Sequence, residues 1–101
     1  MQKRMKMKAY LTKEEDGNYI ARAELFDGTP ITLKVGRHEA LPNEPSNGQE
    51  VEGFIIVTQL ALQDARAYIE LPEGTINHGK NVLVNKLNLF DPNATIEDYI
   101  G

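Results

Sequence analysis

Apolar and polar residues alternate with a period of two along most of positions 5–35. Met5, Met7, Ala9 and Leu11 share one face of an extended segment, and Lys6, Lys8, Tyr10 and Thr12 share the other. Tyr19, Ala21, Ala23 and Leu25 form the next apolar face, opposed by Ile20, Arg22 and Glu24. Ile31, Leu33 and Val35 form a third, with Thr32 and Lys34 opposite. The alternation breaks at "KEEDGN", where Gly17 is free to take positive φ, and again at "FDGTP". Parity fixes the second break. A two-residue Gly28-Thr29 loop would pair odd positions with even ones and split the apolar face. A three-residue loop, Phe26-Asp27-Gly28, pairs odd with odd and places Gly28 in a left-handed G1 bulge. The pattern therefore predicts a three-stranded meander over residues 4–35.

Residues 36–50, "GRHEALPNEPSNGQE", are rich in Pro, Gly and Asn and predict a connector, with one helical turn at its start. "EVEGFIIVTQL" and "DARAYIEL" predict two further strands. In the first, Val51, Ile55 and Val57 face one way while Phe54 and Ile56 face the other, so both sides need cover. In the second, Ala65, Ala67, Ile69 and Leu71 face in; Asp64, Arg66, Tyr68 and Glu70 face out. "PEGTINHGK" reads as a loop. "NVLVNKLNLF" reads as a sixth strand, or one that breaks near Asn85, with Leu83, Leu87 and Leu89 available to cover Phe54 and Ile56. The tail, residues 91–101, carries helix punctuation: Asp91 suits an N-cap, Pro92 the first helical position, and Gly101 the end.

Three meandering strands, a connector, a hairpin, a closing strand and a short helical tail predict an all-β fold. The reading is a small antiparallel barrel of OB-like order, a five-stranded Greek-key arrangement, spanning residues 1–101 as one domain. An SH3-like barrel or a sandwich would give a similar string. Residues 1–4 are expected to form a flexible basic arm.

Charge changes the picture in one respect. The chain carries 11 basic and 15 acidic side chains. Four of the basic ones (Lys3, Arg4, Lys6 and Lys8) fall within the first eight positions, leaving a body with seven bases and fifteen acids, a charge of −8. That argues against nonspecific polyanion binding by bulk charge, while permitting a local basic strip. The chain has no cysteine, which removes disulfides, thiolate metal sites and thiol catalysis and fits a reducing compartment. The longest apolar run, Phe54–Val57, is too short for a membrane span, and no apolar stretch follows the basic start as in a signal peptide. A cytoplasmic protein without membrane contact is the expectation.

The outward face of the meander is the leading candidate site. Lys6, Lys8, Tyr10, Arg22 and Lys34 combine cations, which track phosphates, with an aromatic ring that stacks on a base. Arg66 and Tyr68 would extend the platform, while Glu24 would partly neutralise it. The expected partner is single-stranded nucleic acid; Lys3 and Arg4 would assist. The second reading is an acidic protein-interaction, inhibitor or adaptor module. It would work through the acidic body, including Glu14, Glu15, Asp16, Glu50 and Glu52, or through the acidic and apolar tail "IEDYIG". Neither reading calls for catalysis. His38 beside Glu39 could form an acid–base pair, but no third positioned group accompanies it. His78 lies in a turn context, and the spacing of histidines and carboxylates has no metal-ligand pattern. No metal or other cofactor is expected. A free edge at residues 82–90 would allow homodimerisation through strand pairing.

Overall fold

The meander is present as expected. β1 (Lys3–Lys13), β2 (Tyr19–Glu24) and β3 (Pro30–Val35) run antiparallel in a computed structural model that describes residues 2–75 and 78–92. Leu11 lies opposite Ala21, and Ala21 opposite Leu33, so odd positions pair with odd. The second turn has the predicted length. Gly28 N–H donates to the Leu25 carbonyl at 2.9 Å, Leu25 N–H donates to the Thr29 carbonyl at 2.8 Å, and Gly28 sits at φ +87°. Asp27 holds the turn, its Oδ1 accepting from Thr29 N–H at 2.9 Å. Gly17 takes the same φ in the first turn. The parity of the turns puts Met7, Ala9, Leu11, Ala21, Leu33 and Val35 in the core.

Beyond the meander lie β4 (Ala40–Pro42), β5 (Val51–Gln63), β6 (Arg66–Thr75), β7 (Gly79–Asn85), a 3-10 turn at Lys86–Asn88 and β8 (Leu89–Phe90). The sheet order is β3-β2-β1-β5-β6-β7, with β4 on β5 and β8 on β1. Two long strands make the sheet curl. β1 pairs with β5 along one edge, and with β8 and then β2 along the other. β5 pairs with β1 along one edge, and with β4 and then β6 along the other. An edge shared between two partners must twist to serve both, and the result is a curled half-barrel, a small all-β barrel-like fold. β3 packs near β6, and Phe26 N–H donates to the Leu83 carbonyl of β7 at 2.8 Å, drawing the two ends of the sheet together.

The structure revises several local expectations. The connector opens with a single turn, Glu39 N–H donating to the Gly36 carbonyl at 2.9 Å, and then adds β4, where Ala40, Leu41 and Pro42 find ladder partners in Ile55, Phe54 and Gly53. Ser46 is buried and pins the rest of the connector: its hydroxyl accepts from Lys13 N–H at 3.0 Å and donates to the Gln49 carbonyl at 2.6 Å. Lys3 and Arg4, assigned to an arm, are strand residues opposite Gln59 and Thr58. The segment "PEGTINHGK" is largely strand rather than loop, with β6 continuing to Thr75 and β7 beginning at Gly79. Ala65, assigned to the core, occupies a tight turn with Asp64, whose φ is 55°. That two-residue turn pairs Gln63 with Arg66, odd with even, and a bulge between Gln59 and Ala61 restores odd pairing at Gln59 and Ile69. The strand break at Asn85 is present, Asn85 Oδ1 accepting from Leu87 N–H at 2.9 Å. The leucines do not cover Phe54: Leu89 is in the core, while Leu83 and Leu87 are exposed. Phe90 packs against Phe54 edge-on instead, with centroids 5.5 Å apart. The predicted tail helix falls outside the described residues.

Candidate nucleic-acid interface

Successive outward residues of a strand stand roughly 6.7 Å apart. On β1 these are Arg4, Lys6, Lys8, Tyr10 and Thr12, a cationic row that ends in an aromatic ring. Neighbouring strands fill the spaces beside the row. Lys8 lies opposite Phe54, Lys6 lies between Ile56 and Phe90, and Tyr10 lies between Arg22 and Glu52. The Lys6 ammonium is 4.6 Å from the centroid of the Phe54 ring. Phe54 and Phe90 therefore belong to the outward surface as half-buried aromatics among cations, whereas the sequence pattern places Phe54 on a face to be covered.

Lys8, Tyr10 and Arg22 converge, as the sequence predicted. With Glu24 and Asn88 they line a shallow depression of about 200 Å³. Their charges are not all available. Arg22 makes a bidentate pair with Glu50, Nε to Oε2 at 3.1 Å and Nη2 to Oε1 at 2.8 Å, and its guanidinium lies 4.7 Å from the Tyr10 centroid. The hydrogen bond from Arg22 holds the Glu50 carboxyl below its ordinary pKa and, reciprocally, raises that of the guanidinium. Glu24, the neutraliser expected from sequence, is not the partner. Glu50 takes that place because Ser46 and the β4–β5 ladder bring the end of the connector across β1.

Lys34 is committed as well. Its ammonium lies 2.8 Å from Asp16 Oδ2 and 3.4 Å from Glu14 Oε1, both in the first turn. The bond to Asp16 raises the lysine pKa and lowers that of the carboxyl. Among the described residues, Lys3, Arg4 and Lys8 make no ion pair. The available positive charge therefore lies along β1, not across β2 and β3.

Arg66 and Tyr68 lie elsewhere on the surface. Tyr10 is anchored to β5 at Glu52 and Tyr68 at Ala61, nine residues further on, up to roughly 30 Å of extended strand. Arg66 lies over the Phe26 ring, 5.5 Å from its centroid, and Tyr68 is exposed. The two face a different region from Lys8 and Tyr10.

His38 and Glu39, the conceivable acid–base pair, line different depressions. His38 is exposed beside Lys3, Arg4 and Leu41, whereas Glu39 lies with Asn18, Lys34 and Glu73. His78 is exposed next to Asp27 in a third. No group of three or more potential metal ligands occurs among the described residues, and no helix there is long and apolar enough to cross a membrane. No protein-family model, curated protein sequence or solved structure matches the chain.

Proposed function

We propose that the protein is a non-enzymatic binding module that holds single-stranded nucleic acid along the outer face of β1. The observation that supports this reading is the interleaving of Arg4, Lys6 and Lys8 with Phe54, Phe90 and Tyr10 on one outward surface. A single strand offers phosphates at regular intervals and a flat base at each, and such a row meets both requirements. Arg22 contributes as part of the stacking surface around Tyr10, since Glu50 neutralises its charge. Glu50, Glu52 and Glu24 close the row at its Tyr10 end, so the bound strand extends from Tyr10 toward Arg4. The lack of cysteine supports work in the reducing cytoplasm.

Fluorescence anisotropy with labelled oligo-dT and oligo-U, at low and moderate salt, tests the proposal. Affinity is expected to fall with salt, with a logarithmic slope of about 0.7 per phosphate contacted. Tyr10→Ala should cost roughly 1–3 kcal/mol of binding. Glu50→Gln should release the Arg22 charge and steepen the slope by about 0.7, one added contact. Absence of binding to either oligonucleotide at low salt would sink the proposal.

A further inference from the structure

A second outward surface lies at the other end of β5. Tyr68 on β6 has Ala61 of β5 on one side and Leu83 of β7 on the other. Phe26 continues the line, its backbone N–H bonded to the Leu83 carbonyl. These four residues make an apolar stripe across the strands. Tyr68, Leu83 and Phe26 are 43%, 38% and 38% exposed, high values for large apolar side chains on a small domain. Ala61 is too small to cover the tyrosine ring.

The charges around the stripe have a simple arrangement. Arg66 and Glu70 stand two positions before and after Tyr68, so all three share the outward face of β6. The cross-strand neighbours of Arg66 are Gln63 and Asn85, and those of Glu70 are Thr58 and Asn81, all uncharged. Along β6 the stripe thus has one positive charge on one side, Arg66, and one negative charge on the other, Glu70; Asp27, which lines a depression with Phe26, Asn81 and Leu83, adds a second negative charge at the Phe26 end. A two-fold axis laid along the stripe sets two β6 strands antiparallel and superimposes unlike flanks. An isologous contact requires that property: residue i meets j, and j meets i. The chain as a whole is acidic, with a net charge of −4, so a contact that sets unlike charges opposite one another avoids like-charge repulsion between copies.

We propose that this face docks a second copy of the chain, with Tyr68 stacked near the axis and Arg66 of each protomer opposite Glu70 of the other. The contact is face to face. Pairing along the β7 edge is obstructed, because Phe26 N–H already occupies the Leu83 carbonyl in the middle of that strand. Arg66 is held in place for its partner by the Phe26 ring. The proposal is independent of the nucleic-acid reading, which rests on other residues.

Sedimentation velocity between ~1 and ~500 µM decides it. The wild-type chain is expected to show a concentration-dependent dimer, and Tyr68→Ser to remain monomeric with an unchanged circular dichroism spectrum. Arg66→Glu and Glu70→Arg should each weaken self-association at least tenfold, roughly, by placing like charges opposite one another. An equimolar mixture of these two variants should regain a dimer, since every contact is again between opposite charges. A monomer throughout the range overturns the proposal, as does a dimer indifferent to Tyr68→Ser. Failure of the mixture to associate overturns the antiparallel pairing. Protection of Tyr68 by oligo-dT in a monomeric chain would assign the face to nucleic acid instead.

Discussion

Gly53→Ala tests the architecture at the point where three strands crowd together. Gly53 lies opposite Ala9 of β1 and Pro42 of β4. A methyl carbon there would sit 2.5 Å from the Leu41 carbonyl oxygen, 2.7 Å from the Pro42 Cα and 2.8 Å from Leu11 Cδ1. The leucine tip could turn, although Leu11 is fully buried. The other two atoms are backbone. They are fixed by the β4–β5 ladder and by the bond from Asn43 N–H to the Glu52 carbonyl at 2.9 Å. Relief therefore requires β4 to lift from the sheet. Overpacking by one methyl typically costs about 1–3 kcal/mol, and contacts against backbone put this site at the upper end. Restricting the unfolded chain returns roughly 0.4–1 kcal/mol, for a net loss near 2 kcal/mol. At about 4–8 °C per kcal/mol for a domain of this size, Tm should fall by roughly 8–16 °C. Thermal unfolding followed by circular dichroism measures it. Gly36→Ala is the control: its nearest neighbour would be Glu39 Oε1 at an ordinary 3.7 Å, so stability should stay within about 0.5 kcal/mol of wild type. A Gly53→Ala protein melting within about 3 °C of wild type would refute the close approach of β4.

Two further outcomes follow from the same structure. Ser46→Ala removes the acceptor for Lys13 N–H and the donor to the Gln49 carbonyl, and should cost about 1–3 kcal/mol in denaturant unfolding. Because the connector then loosens, oligonucleotide binding by the variant should shift in the same direction as in Glu50→Gln. On acidification, Asp16, Glu50 and Asp27 behave alike: the bonds from Lys34, from Arg22 and from Thr29 hold their carboxyls below the ordinary pKa. A carboxyl with a depressed folded-state pKa stabilises above its unfolded value and loses that contribution as pH falls through the folded one. Tm should therefore decline gently between pH ~5 and ~3, and Lys34→Met should make the decline shallower by returning Asp16 toward its ordinary value. An NMR titration in which Asp16 is unmoved by Lys34→Met would contradict this assignment.

Self-association and strand binding are expected to remain separable. Tyr68→Ser and the Arg66 and Glu70 variants leave Lys8 and Tyr10 intact, and Tyr10→Ala leaves the β6 stripe intact. The substitutions are far enough apart, with no shared partners, for their effects to add.

The alternation along β1 to β3 was sufficient by itself to say which side of the meander is core and which is surface. Leu11, Ala21 and Leu33 face inward and Lys8, Tyr10 and Arg22 outward because side-chain direction in a strand is a local property with a period of two. The odd-with-odd register followed from Gly28, since the length of a hairpin loop sets parity without reference to the rest of the chain. Which outward charges remain available was not legible in that way. Arg22 meets Glu50 across 28 positions, and Lys34 meets Asp16 across 18. The first encounter depends on the path of the connector, which Ser46 and β4 direct; the second depends on how the turn between β1 and β2 folds toward β3. The separation of Tyr68 from Tyr10 likewise depends on the length of β5. A repeating pattern fixes direction residue by residue, but proximity between distant residues exists only once the strands have joined and the sheet has curled.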